Sequence, residues 1–152
     1  MLPADKADRD RARLCLNANV VVEAGAGTGK TTLLTDRLLF LLLSGRRAVA
    51  ITSLVALTFT EKAAAEIKLR LADRLASLGE SGDMLAELRD SFKTQPDQAL
   101  ALARQALEDM DKAQIGTIHA FAAHLLRMYP IEAGVDPGFT VDSCPLFGEL
   151  FD

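Results

Sequence analysis

The sequence predicts an α/β domain with a parallel sheet, and three observations carry that reading. Three short apolar runs, VVV at Val20–Val22, ITSLVALTF at Ile51–Phe59 and QIGTI at Gln114–Ile118, each lead into a helical pattern. The first run is joined to its helix by a glycine-rich loop, Ala24 to Gly29. The order strand–loop–helix–strand–helix, then a helical pair, then strand–helix, is that of a parallel α/β domain with a helical insertion.

The elements follow in chain order. Asp5 to Leu16 is charged with a few apolar positions and reads as a lead-in helix. Val20, Val21 and Val22 are β-branched, lie between Asn19 and Gly25, and read as a buried strand. From Lys30, LLTDRLLFLLLSG is helical, with Gly45 as its stop. Ile51 to Phe59 is a second strand, rich in β-branched residues. Thr60 then has the chemistry of an N-cap, and Glu61 suits the first turn of a helix. Ala64, Ile67, Leu71, Leu75 and Leu78 recur at spacings of three and four, which makes one apolar stripe. Asp83–Phe92 and Asp97–Lys112 read as two helices separated around Pro96, an insertion over about residues 80–112. Gln114 to Ile118 is a short strand, and His119 to Tyr129 a helix ended by Pro130. From Ile131 the chain carries Pro137, Gly138 and Pro145 and reads as loop. Three strands make a thin sheet, so the expectation is part of a larger protein spanning residues 1–152.

Composition narrows the class. Apolar residues make up 49% and charged residues 25% of the 152, which excludes a disordered chain. A net charge of -4 excludes a passive polyanion binder, so contact with nucleic acid requires a local site. Cys15 and Cys144 stand far apart and form neither a disulfide framework nor a metal motif, which fits a reducing cytoplasm. The longest apolar stretches fall short of the ~20 residues that span a bilayer, and the charged start lacks a signal peptide's apolar core.

The glycine loop carries the chemistry. Ala24-Gly25-Ala26-Gly27-Thr28-Gly29-Lys30-Thr31 fits the Walker A pattern in the relaxed form with Ala for the first Gly. A triphosphate needs many donors at close range. Glycines let successive backbone N–H groups turn inward with no Cβ in the way. The helix starting near Lys30 adds the positive end of its dipole. Lys30 is the expected catalytic cation on the β and γ phosphates. Thr31 is the expected Mg²⁺ ligand, and Thr32 a further phosphate donor. A dinucleotide fingerprint needs G-x-G-x-x-G, whereas Gly25, Gly27 and Gly29 give G-x-G-x-G. A plain flexible turn with a solvated lysine is the bland alternative, and the strand before and helix after weigh against it.

Two further junctions, ALTFTEKAAAEIKLRL and IGTIHAFAAHLLR, place Thr, Phe and His where a strand becomes a helix. In open parallel sheets ligands sit at the carboxyl ends of the strands. Thr58, Phe59, Thr60, Thr117, His119 and Phe121 therefore fit one rim, with aromatic faces for bases and hydroxyls for phosphates. Taken singly, each has a structural explanation as a core aromatic or a helix-start residue.

In this order, VEAGAGTGKTTLL, ALTFTEKAAAEIKLRL and IGTIHAFAAHLLRMYPIEAGVDPGF resemble the opening segments of UvrD/RecB-type superfamily 1 DNA helicases, the RecB/AddA-like branch above all. The resemblance runs from about Asp5 to Thr140. It implies the first RecA-like motor domain, ATP and Mg²⁺ held by Ala24 to Thr32, and 3′ to 5′ movement on single-stranded DNA in repair and recombination. It further implies DNA contacts from Thr58, Phe59, Thr60, Thr117, His119 and Phe121, and a nuclease/helicase partner subunit. Two departures stand out. Many members carry an upstream glutamine that reads adenine, whereas ADKADRDR has Lys6 near that position and no Gln occurs before Gln95. No Asp-Glu dipeptide occurs anywhere, so the pair that holds Mg²⁺ and positions water is missing and little hydrolysis is expected of this chain alone. Two other classes share a phosphate loop. A small-molecule kinase should add an arginine-rich lid, and Gly79 to Lys112 holds only Arg89 and Arg104. A non-catalytic interaction module should bind nucleotide with no response to DNA.

Overall fold

The computed structural model describes residues 5–25 and 27–141. Helix α1 (Lys6–Leu14) carries Asp8 in its first turn and Arg11 and Arg13 in its last, matching the helix dipole. Its last carbonyls are capped from outside. Arg37 Nη1 donates to the carbonyl oxygens of Ala12 at 2.7 Å and Cys15 at 2.8 Å.

Helix α2 (Lys30–Leu43) is the centre of the molecule. Leu38, Leu39, Phe40, Leu42 and Leu43 are all buried, because its second half is surrounded by helices on several sides. The helix ends at Ser44. Gly45 follows with φ 61°, and a Cβ there would lie 2.9 Å from the Thr94 hydroxyl, so both backbone and space demand glycine.

Strands β1 (Val55–Thr58) and β2 (Gln114–Thr117) pair in parallel, with Ala56 opposite Ile115 and Thr58 opposite Thr117. Ala56 and Ile115 are buried, whereas Val55 and Leu57 keep 47% and 41% of their surface, so one sheet face is covered and the other open. Between the strands run α3 (Glu61–Ala76), α4 (Gly82–Phe92) and α5 (Pro96–Glu108). The α3 stripe is buried as its spacing predicts, with Leu78 falling in the 3-10 turn Leu78–Glu80 beyond the helix. Helix α5 turns Ala99, Ala103 and Ala106 inward, and these small residues let it pack against α2 and α3. Phe92 at the end of α4 meets Phe40 with ring centroids 5.6 Å apart.

A partly buried ion network braces the outside of this core. Arg13 lies 2.7 Å from both Asp10 and Glu87, and Arg74 lies 2.8 Å from Asp36. Burial disfavours the Arg13 cation, but its hydrogen bonds to Asp10 and Glu87 and the Glu87 charge outweigh that. Its pKa is raised above the ordinary arginine value. After β2 come α6 (Ile118–Met128) and the short α7 (Pro130–Ala133).

Three expectations change. Val20–Val22 is not a strand: Val21 is 89% and Val22 44% exposed, and among the described residues neither joins a sheet. Extended backbone needs a partner for its N–H and C=O groups, and β-branching alone supplies none. The run Ile51–Phe59 divides into a 3-10 turn, Ile51–Ser53, and the four-residue β1. Past Tyr129 the chain is not all loop, because Pro130 starts α7. Pro145 and Cys144 lie outside the described residues. No helix among the described residues is long and apolar enough to cross a membrane.

Candidate functional site

The glycine loop is built from backbone. Gly27 and Gly29 have φ 74° and 84°, in the left-handed region. A Cβ on Gly27 would meet nothing within 4 Å, so the requirement there is conformational rather than steric. The Thr28 hydroxyl donates to the Gly25 carbonyl at 2.8 Å and closes the turn. Lys30 Nζ reaches back across the loop to the carbonyl oxygens of Ala24, at 2.7 Å, and Gly25. Ala26 lies outside the described residues.

The start of α2 is left open to an anion. Gly29 gives it no side-chain cap, and its first turn holds no acidic residue. Its first N–H groups therefore have no intrahelical partner and point toward the loop with the positive end of the dipole. Thr31 and Thr32 sit in that turn. The Thr31 carbonyl accepts from Thr35 Oγ1 at 2.9 Å, which buries Thr35 without leaving its hydroxyl unsatisfied. The donor set, the lysine and a hydroxyl one residue beyond it fit a Mg²⁺-bound polyphosphate. A cleft of about 490 Å³ adjoins the loop, walled by α1 and by residues 18–24, and is of ligand size.

Arg9 of α1 also touches this loop, a residue the sequence does not single out. Its Nη2 donates to the Thr28 carbonyl at 3.1 Å, and its Nε to Asp5 at 2.7 Å. Within its own helix Arg9 reads as half of an i, i+4 surface pair with Asp5, and only the fold brings it to the loop.

The second group of residues gathers at the ends of β1 and β2. Thr58 and Thr117 are in register. Thr60 caps α3 by accepting from the Ala63 N–H at 3.2 Å, and Thr117 caps α6 by accepting from the Ala120 N–H at 3.1 Å. Thr58 Oγ1 donates to the Thr60 carbonyl at 2.9 Å. Phe59 projects with 87% of its surface exposed, His119 is exposed and Phe121 half-buried. Thr117 Oγ1 also donates to Glu61 Oε1 at 3.0 Å, which ties the first turn of α3 to the cap of α6. Glu61 has the look of a first-turn charge in sequence, and only strand register gives it this second role.

The model of the UvrD/REP helicase N-terminal domain matches residues 5–144. The chain belongs to this family. As a UvrD/REP helicase domain it has the RecA-like α/β phosphate-loop fold, here mostly helical around a two-stranded parallel sheet. It is 36% identical over 124 residues to an ATP-dependent helicase/nuclease subunit of Moorella thermoacetica, covering 82% of this chain and 8% of that protein. The proteins of the same description from Streptococcus suis and Lactobacillus gasseri are 35% and 32% identical, each over 88% of this chain and 10% of their own length. The chain thus spans about a tenth of the relatives it matches.

Proposed function

We propose that this UvrD/REP domain is the nucleotide-binding part of an ATP-dependent DNA helicase of repair and recombination, acting in the cytoplasm with a nuclease/helicase partner subunit. The observation that carries the reading is the phosphate loop in a member of this family, with α2 opening uncapped and free of acid behind it. Ala24 to Thr32 hold Mg-ATP: the backbone N–H groups and Lys30 take the phosphates, and the Thr31 hydroxyl takes Mg²⁺. Single-stranded DNA lies along Thr58, Phe59, Thr60, Thr117, His119 and Phe121, where exposed Thr60 and His119 offer donors and exposed Phe59 a stacking face. Residues 80–112 form the domain's helical insertion. ATP hydrolysis supplies the work of translocation. This chain contributes binding rather than turnover, since it holds no Asp-Glu pair.

The test is titration of the chain with a fluorescent ATP analogue and Mg²⁺, with and without oligothymidylate. Binding that Lys30→Ala weakens by about a hundredfold, and that DNA alters, is expected. Equal binding by the Lys30→Ala chain would sink the nucleotide site. Nucleotide binding indifferent to DNA would favour the interaction module.

A further inference from the structure

We infer that Arg9 is a positioning residue for the phosphate loop, and that it orients the Gly29 N–H toward the phosphates rather than reading the base. The inference rests on the nucleotide site proposed above. Its ground is the peptide between Thr28 and Gly29. That peptide is trans, like every described peptide bond in the chain. In a planar trans peptide the carbonyl and the following N–H point in opposite directions. Arg9 Nη2 holds the Thr28 carbonyl from the α1 side at 3.1 Å, so the Gly29 N–H is turned away from α1. Gly29 at φ 84° then passes the chain directly into α2, whose first turn supplies the neighbouring donors.

Arg9 is itself held. Its Nε is bonded to Asp5 at 2.7 Å, and its Nη1 would lie 3.7 Å from a Cβ on Gly29, so the guanidinium lies alongside the loop. A planar fork fixed at two points sets direction as well as charge. Without it, the peptide entering Gly29 loses the restraint on its carbonyl, and one donor of the cradle is less firmly aimed. Arg9 lines the cleft on its α1 side and acts on the loop through a carbonyl, and this sets it apart from Lys30.

The experiment measures affinities of the chain for fluorescent ATP, fluorescent GTP and, by competition, inorganic tripolyphosphate, all with Mg²⁺. Arg9→Ala should weaken all three by about the same factor, on the order of tenfold. The ATP-to-GTP ratio should stay as it was. Arg9→Lys should recover only part of the loss, because an ammonium supplies charge without the fork. The melting temperature without ligand should hardly move, since the Arg9–Asp5 pair is exposed. A changed ATP-to-GTP ratio with unchanged tripolyphosphate affinity would make Arg9 a base reader and overturn the inference. So would unchanged affinity for all three ligands while Lys30→Ala still weakens binding by about a hundredfold. If the unaltered chain binds none of them, the nucleotide site falls and the role of Arg9 with it.

Discussion

The phosphate loop and the paired strand ends are both places where extended chain enters a helix, yet they are held by different means. At the strand ends, β1 and β2 fix each other by register, and each helix starts on a threonine cap. At the phosphate loop the preceding valines join no sheet among the described residues, and α2 starts without a side-chain cap. What shapes the loop is its own glycines, the Thr28 bond to Gly25, and side chains from outside it. A junction whose donors are spent on capping is built for stability. One whose donors are left open is built for a ligand. The two should therefore respond in opposite ways to substitution, one through melting temperature and the other through affinity.

The largest effect on stability is expected at Thr117. Its hydroxyl is 3.1 Å from the Ala120 N–H it caps and 3.0 Å from Glu61, and the residue is only 7% exposed. Thr117→Val keeps the shape and removes both bonds, at a cost of about 2 kcal/mol. In a domain of this size that lowers the melting temperature by about 5 °C. Lys30→Ala, at the other junction, should leave melting almost unchanged. A Thr117→Val chain that melts like the parent would show that the strand ends are held by packing alone.

Gly29→Ala should divide the other way. A Cβ there has room, with Arg9 Nη1 at 3.7 Å, but φ 84° costs an L side chain about 1 kcal/mol or more. That strain falls on a loop that carries little of the core, so nucleotide affinity should drop several-fold while the cooperative melt shifts by about 2 °C or less. A large melting shift with unchanged affinity would mean that the loop is part of the structural frame.

What could be read in the sequence follows the same division. The α3 stripe and the cap at Thr60 are local patterns, and each is where its spacing puts it. Spacing and cap chemistry act within a few residues, so a single chain segment contains the whole cause. Val20–Val22 shows where this stops. A β-branched run records a preference for extended backbone, while a strand is a property of two segments. Arg9 and Glu61 were hidden for a related reason. Both read as ordinary charges of a first or second helical turn, and the fold gives them partners 19 and 56 residues away in the chain. Long-range hydrogen bonds of this kind leave no periodic trace.

The smallest expected effect on stability is the most telling for function. Phe59, in the middle of the TFT run, keeps 87% of its surface in solvent, so burial of its ring contributes almost nothing to the folded state. A bulky aromatic held open between the end of β1 and the cap of α3 offers a stacking face. Phe59→Ser should change the melting temperature by less than about 2 °C. It should also reduce the affinity for oligothymidylate by about tenfold, in line with the loss of one stacked base. Phe121, half-buried in α6, serves as the contrast. Its replacement by Ser should cost stability as well, and any loss of DNA affinity there would be mixed with unfolding. If Phe59→Ser leaves oligothymidylate binding unchanged, the exposed aromatic has another occupant, and the DNA path must be drawn through His119 and the α6 side of the rim.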